Sequence, residues 1–272
     1  MGRLIAIGAE VQAASSLALA YPDRDVLFVS DQPVIDGWDL ANVRVRYSTP
    51  HAWRTIVEPD DVVVPVSARW LPHEGWSLSR TMPVATQAIG EKYVAEVQPR
   101  PRGAGIWVAK GDRWRRPDTP VEGPGSEIAD LDDPHGCGLV FQRHLNITGT
   151  TMTIGRFGPA GASFGIFRVF EERFFRDVIF QAAETIADGP LAERSLAVAS
   201  ALAVNGFCTL NWVLADGPAR LTSIRPVPRA AFVTFRRGGI DLCVPPAGTS
   251  MLEAGLRLNA QPHYASYTRL EP

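Results

Sequence analysis

The chain has 272 residues, 46% apolar and 21% charged, with 27 basic against 29 acidic side chains and a net charge of −2. That is enough chain for a substantial core in one large domain or two small ones. The near-neutral balance gives no global pull toward nucleic acid or an anionic membrane, and no apolar run reaches the ~18–20 residues of a bilayer-spanning helix.

The N-terminus, Met1-Gly2-Arg3-Leu4-Ile5-Ala6-Ile7-Gly8-Ala9-Glu10, is a short apolar run cut by an acid. It reads as a first strand, not a secretion signal. Cys137, Cys208 and Cys243 are scattered without metal-type spacing, which predicts reduced thiols in a cytoplasmic protein. Residues 1–75 read as a small α/β unit. Its strands are expected at Arg3–Gly8, Asp25–Ser30, Val43–Tyr47 and Asp61–Val66, with a helix over Glu10–Ala20. Short apolar strands alternating with a helix predict a parallel sheet. Gly8 lacks the further spaced glycines of a dinucleotide fingerprint.

Residues 79–90 carry a helical pattern ending at Gly90, and Tyr93–Val97 alternates. Ile106–Lys110 is then an apolar strand running into the cationic turn Gly111-Asp112-Arg113-Trp114-Arg115-Arg116. Lys occurs only at Lys92 and Lys110, so a chain that otherwise uses Arg keeps a slender point charge at this strand end. Residues 117–136 form a Pro-, Gly- and Asp-rich surface loop. Gly138–Leu145, Thr150–Phe157 and Ser163–Phe170 read as three strands of an antiparallel meander. Phe167, Phe170, Phe174, Phe175 and Phe180 are assigned to the core. A helix over Leu191–Val204 stops at Asn205-Gly206, read as a left-handed cap. Phe207–Ala215, the turn Asp216-Gly217 and Ala219–Ile224 form a hairpin, which runs into Arg225-Pro226-Val227-Pro228-Arg229. His51, His73 and His263 are isolated, and His135 near Cys137 lacks a third orienting group.

This succession resembles the ATP-grasp superfamily: a preceding α/β unit, a Lys-bearing strand (Trp107–Gly111), a strand carrying Gln (Val140–Leu145), a helix leading to Gly206, a strand, the Asp216-Gly217 turn, and a strand ending in Pro and Arg. The resemblance implies an α+β or α/β fold. A small parallel N-terminal domain (1–75) precedes a mixed and antiparallel sheet-plus-helix nucleotide-binding region (76–240), and a C-terminal tail (241–272) packs on the body. It also implies ligation of a carboxylate to an amine through an acyl phosphate, as in cofactor biosynthesis, with ATP and Mg2+ as cofactors. Lys110, with Lys92 as the second candidate, matches the phosphate-binding lysine. Gln142, Arg143 and His144 fall at the adenine and ribose, Asn211 at a metal-binding position, and Arg225 or Arg229 at the transition-state cation.

One motif departs. Where the family reads Glu-x-Asn-Pro-Arg, this chain has Ser223-Ile224-Arg225-Pro226-Val227. Magnesium takes hard, usually anionic oxygens, so conventional metal binding would need another acid such as Glu171, Glu172, Asp216 or Asp241. The implied partners are a small-molecule carboxylate or cofactor precursor and a homodimer or protein complex, without nucleic acid or membrane. The alternative reading is an inactive ATP-grasp-like protein that binds an anionic ligand or a partner protein through its arginines; a third is a packing subunit of a complex.

Overall fold

A computed structural model of the chain describes residues 2–8, 11–31, 40–66, 106–110, 113–115, 122–124, 140–143, 148–174, 178–214, 217–225, 227–228 and 231–259. The expectations placed on 79–90 and on Tyr93–Val97 lie outside these residues. Among them, no helix is long and apolar enough to cross a membrane.

The N-terminal strands are β1 (Leu4–Ile7), β2 (Val26–Ser30), β3 (Val43–Tyr47) and β4 (Val62–Pro65), with α1 (Val11–Ala20) between the first two. They form the expected parallel sheet, in the order β3-β2-β1-β4. Both faces of its centre are covered. Leu4 and Ala6 join a cluster with Leu17 of α1, whereas Ile5 and Ile7 meet Trp53 and Ile56 of a 3-10 turn on the other side. Period-2 alternation sends these neighbours to opposite faces, and an all-apolar strand is what a two-sided burial requires. The Asn42 amide nitrogen lies within donating distance of the carbonyls of Ala18 (3.0 Å), Tyr21 (3.0 Å) and Arg24 (3.1 Å), tying the turn after α1 to the start of β3.

Arg3 ties β1 to the approach of β4. Its backbone N–H (3.0 Å) and Nε (3.2 Å) donate to Asp61 Oδ1, and Nη2 donates to Oδ2 (2.7 Å). The Arg3 hydrogen bonds hold the Asp61 carboxyl below the usual carboxylate range, aided by the Glu58 backbone N–H. A carboxyl lowered by folding stabilises fully above its unfolded-state value, and that stability is lost as pH falls through the folded-state value. Asp61→Asn is expected to lower the urea midpoint at neutral pH and to flatten its decline below about pH 4. Urea titrations of both proteins across the acid limb check this.

The second sheet contains β9 (Gly149–Gly158), β10 (Gly161–Phe174), β11 (Val178–Thr185), β12 (Gly206–Leu214), β13 (Arg220–Arg225), β14 (Thr249–Met251) and β15 (Arg257–Asn259). Its order is β13-β12-β9-β10-β11-β15, with β14 pairing parallel to β10. Two of the three strands expected in a meander, β9 and β10, pair antiparallel, and the expected hairpin is β12–β13. The helix α2 (Gly189–Ala201) covers one face, packing Leu191, Val198 and Ala199 against Phe164, Ile166, Cys208, Leu210 and Trp212. Asp188 caps it by accepting the Leu191 N–H at 3.0 Å. The short helix α3 (Phe232–Arg237) covers part of the other face, where Phe232 and Phe235 join Met152, Ile154, Phe167 and Phe207 in one cluster with α1.

Three expectations are corrected. Val140–Arg143 does not join β9 and β10 but pairs parallel with Ile106–Lys110 in a separate sheet, since alternation identifies a strand without naming its partner. Phe167 is buried, but Phe170 is 43% exposed: alternation along β10 turns it to the face opposite Phe167 and Val169. The side chains of Phe174, Phe175 and Phe180 lie outside the description. The left-handed residue that ends α2 is Ala203 (φ +49°), three positions before Gly206. Val204 N–H bonds to Ala199 O (2.9 Å) and Ala203 N–H to Ser200 O (3.0 Å), a Schellman closure that fixes the cap at 203. An L side chain in that region costs about 1–2 kcal/mol, partly offset by the extra freedom glycine has when unfolded. Ala203→Gly is expected to stabilise the protein by about 0.5–1 kcal/mol, read as a raised denaturant midpoint with unchanged slope.

Candidate functional site

The face of the second sheet opposite α2 carries the candidate residues. Cys208, Leu210 and Trp212 of β12 point into the α2 cluster, so alternation puts Thr209, Asn211 and Val213 on the other face. Met152 is opposite Asn211 on β9, and on β13 the register sets Ser223 opposite Asn211 and Arg225 opposite Thr209. The register shifts between Asn211 and Trp212, because Thr222 is an extra residue on β13. Such a bulge raises the local twist and re-aims adjacent side chains. Thr209, fully buried, donates its hydroxyl to Val227 O at 2.6 Å, which folds the chain after β13 back along β12. Arg225 stays exposed at the strand end, and Asn211 is half-buried.

Lys110, Gln142 and Arg143 belong to a separate four-stranded sheet of β5 (Ile106–Lys110), β6 (Arg113–Arg115), β7 (Glu122–Pro124) and β8 (Val140–Arg143), in the order β7-β6-β5-β8. β5 and β8 run parallel, with Val108 beside Gln142 and Ala109 beside Arg143. Lys110, Gln142 and Arg143 therefore gather at the same ends of neighbouring strands. The chain leaving β8 reaches the large sheet within a few residues: Thr148 N–H bonds to Leu214 O at 2.8 Å, and Gly149 pairs with Leu214. That entry point is three positions along β12 from Asn211. Of the residues expected at a site, Lys92, His144 and Arg229 lie outside the described residues. Thr209, two positions along β12 from Asn211, and Met152, opposite it on β9, are both buried and frame that position.

Asp241, considered as a substitute acid, is committed elsewhere. It accepts from the Tyr21 hydroxyl (2.5 Å) and the Cys243 N–H (2.9 Å) on Oδ1, and from Arg236 (3.0 Å) on Oδ2. Beside it, Arg156 donates to Leu242 O (3.2 Å) and Cys243 O (2.9 Å) and lies over the Phe207 ring. Burial pushes the Cys243 thiol up to about 11, so this cysteine is no nucleophile at neutral pH. The cluster joins the end of α1 to the loop after α3; it is a structural junction between the two sheets.

Magnesium does not fit the residues described at the candidate face. Positions 211, 223 and 225 supply an amide, a hydroxyl and a guanidinium, with no carboxylate among them. No group of three or more His, Cys, Asp or Glu is placed to hold a metal among the described residues. A guanidinium also repels a divalent cation and offers it no lone pair.

No family model matches the sequence, and no curated protein matches it either. Solved structures do match. N5-carboxyaminoimidazole synthetase from Staphylococcus aureus complexed with ADP aligns over 93% of this chain and 81% of its own, at 13% identity and a TM-score of 0.56. L-amino acid ligase from Bacillus licheniformis aligns over 89% of this chain and 72% of its own, at 12% identity and a TM-score of 0.54. Biotin carboxylase from Campylobacter jejuni aligns over 93% of this chain and 73% of its own, at 14% identity and a TM-score of 0.53. The likeness is one of fold.

Proposed function

We propose that this chain, which has the ATP-grasp fold, binds ATP between the strand ends carrying Lys110, Gln142 and Arg143 and the face carrying Asn211 and Arg225. In this reading it uses ATP to join a small-molecule carboxylate, or a cofactor precursor bearing one, to an amine. The observation that carries the reading is the chain order of the two halves. Gly149, six residues after Arg143, pairs with Leu214, three positions along β12 from Asn211, which supports a site shared by the two sets.

The chemistry assigns each group a task. Phosphorylating a carboxylate turns a poor leaving oxygen into phosphate, and cations must balance the charge that develops as the phosphoryl group moves. Lys110 supplies a mobile point charge for the phosphates, with Lys92 as a second. In this reading Gln142, Arg143 and His144 are the groups assigned to the base and ribose, and Asn211 is the neutral amide assigned to the phosphates. Arg225 or Arg229 is the cation at the transferring group.

A second reading has its own support: a binding protein that holds an anionic ligand without turnover. The amide, hydroxyl and guanidinium at 211, 223 and 225 favour it, since an anion needs only cations and hydrogen-bond donors. Calorimetric titration with ATP and a non-hydrolysable analogue tests the shared premise. Lys110→Ala is expected to weaken binding by about tenfold or more. No ATP binding by a folded sample would end the ligase reading and leave a protein that binds another anionic ligand or a partner. ADP release that requires both an acid and an amine identifies the ligase; binding without it identifies the second reading.

A further inference from the structure

We propose that the Asn211–Arg225 diagonal of the β12–β13 pair is a metal-free polyphosphate clamp, in which the Arg225 guanidinium supplies the neutralising charge that a divalent cation would otherwise bring. The inference rests on the nucleotide-binding reading only for the identity of its natural ligand.

Three observations converge on it. First, the register makes Arg225 the diagonal neighbour of Asn211 across the β12–β13 pair. Diagonal neighbours in an antiparallel pair are about 7–8 Å apart. A cation held at Asn211 would therefore sit within roughly one Debye length, about 8 Å, of a fixed positive charge. The same cationic position attracts an anion. Second, the side chain that Arg225 presents is exposed at the strand end, while its neighbours Leu221, Ile224 and Val227 are buried and fix the strand. The Thr209 hydroxyl bonded to Val227 O holds the backbone just beyond it in place. The guanidinium thus projects from an anchored segment. Third, the donor inventory is right for oxyanions and wrong for metal. A guanidinium meets phosphate with two parallel N–H donors, and an amide adds a neutral one.

The experiment titrates the full chain with ATP and, separately, with inorganic tripolyphosphate, each in magnesium and in EDTA. Both ligands are expected to bind in EDTA, with ATP affinity changing less than about threefold on adding magnesium. Arg225→Ala is expected to weaken both by about tenfold or more, and Arg225→Lys by less, since lysine keeps the charge but loses the fork. An unchanged thermal transition shows that the variants fold. Mn2+ added alone, followed by its electron paramagnetic resonance signal, is expected to remain free.

Binding that needs magnesium, binding in EDTA that survives Arg225→Ala, or stoichiometric Mn2+ uptake lost in Asn211→Ala would each overturn the clamp. Tripolyphosphate bound through Arg225 without any ATP binding would retain the clamp and remove the nucleotide reading. Binding of neither ligand removes both.

Discussion

Trp212→Ala is expected to destabilise the protein by about 3–5 kcal/mol, the range for removing a fully buried aromatic. Trp212 is 1% exposed on β12 and packs between α2 and the sheet. Its indole also starts a relay of hydrogen bonds. Nε1–H donates to the Thr153 hydroxyl (3.1 Å), Thr153 lies 2.8 Å from the Ser195 hydroxyl, and Ser195 donates to Leu191 O (2.7 Å). Each hydroxyl has one hydrogen to give, so the order that satisfies all three runs from the indole through Thr153 to Ser195. Trp212→Phe keeps most of the packing and removes only the first donor, for which about 1–2 kcal/mol is expected. Equal losses for the two variants would mean that the relay, not the ring, holds α2 to the sheet.

Gly155→Ala is expected to cost about 3 kcal/mol, at the upper end of ordinary overpacking. Gly155 pairs with Phe164 across β9 and β10. A β-carbon there would stand 2.5 Å from Phe164 Cβ, 2.5 Å from Ser163 O and 2.7 Å from Phe164 Cα. Two of those atoms are backbone and the third is fixed to it, so no rotamer change relieves the contact. Relief requires the strands to part, and with them the ladder that carries Met152 and aligns Asn211. Loss of stability in chemical denaturation, with a fall in the cooperativity of the transition, is the expected result. A change below about 0.5 kcal/mol, the usual surface range, would show that the strands separate freely.

The two variants act on the same sheet but through opposite faults, a void and a clash. Their partners differ, since Trp212 lies against α2 and Gly155 against β10. Neither touches the exposed Arg225, so anion binding per folded molecule separates a damaged scaffold from a damaged site.

Local pattern alone determined the parallel N-terminal sheet, the β9–β10 pair, α2 and the β12–β13 hairpin. Each rests on a period or a turn that neighbouring residues carry: all-apolar strands, alternation, Asp188-Gly189-Pro190 opening a helix, Gly217 closing a hairpin. The order of Lys110, Gln142, Asn211 and Arg225 along the chain was equally legible, as was the absence of an acid at Ser223. Tertiary contacts decided the rest. α3 is six residues long, too short for periodicity to declare it, and it exists as a helix because Phe232 and Phe235 are buried among α1 and the sheet. β14 and β15 are three residues each and are strands only through pairing with β10 and β11. Asp241 looked available for a metal until folding brought Tyr21 to it across more than two hundred residues. Register set the candidate face: the single extra residue at Thr222 sets Asn211 opposite Ser223 and makes Arg225 the diagonal neighbour of Asn211. Spacing along one strand cannot reveal a bulge, because the shift exists only between two strands.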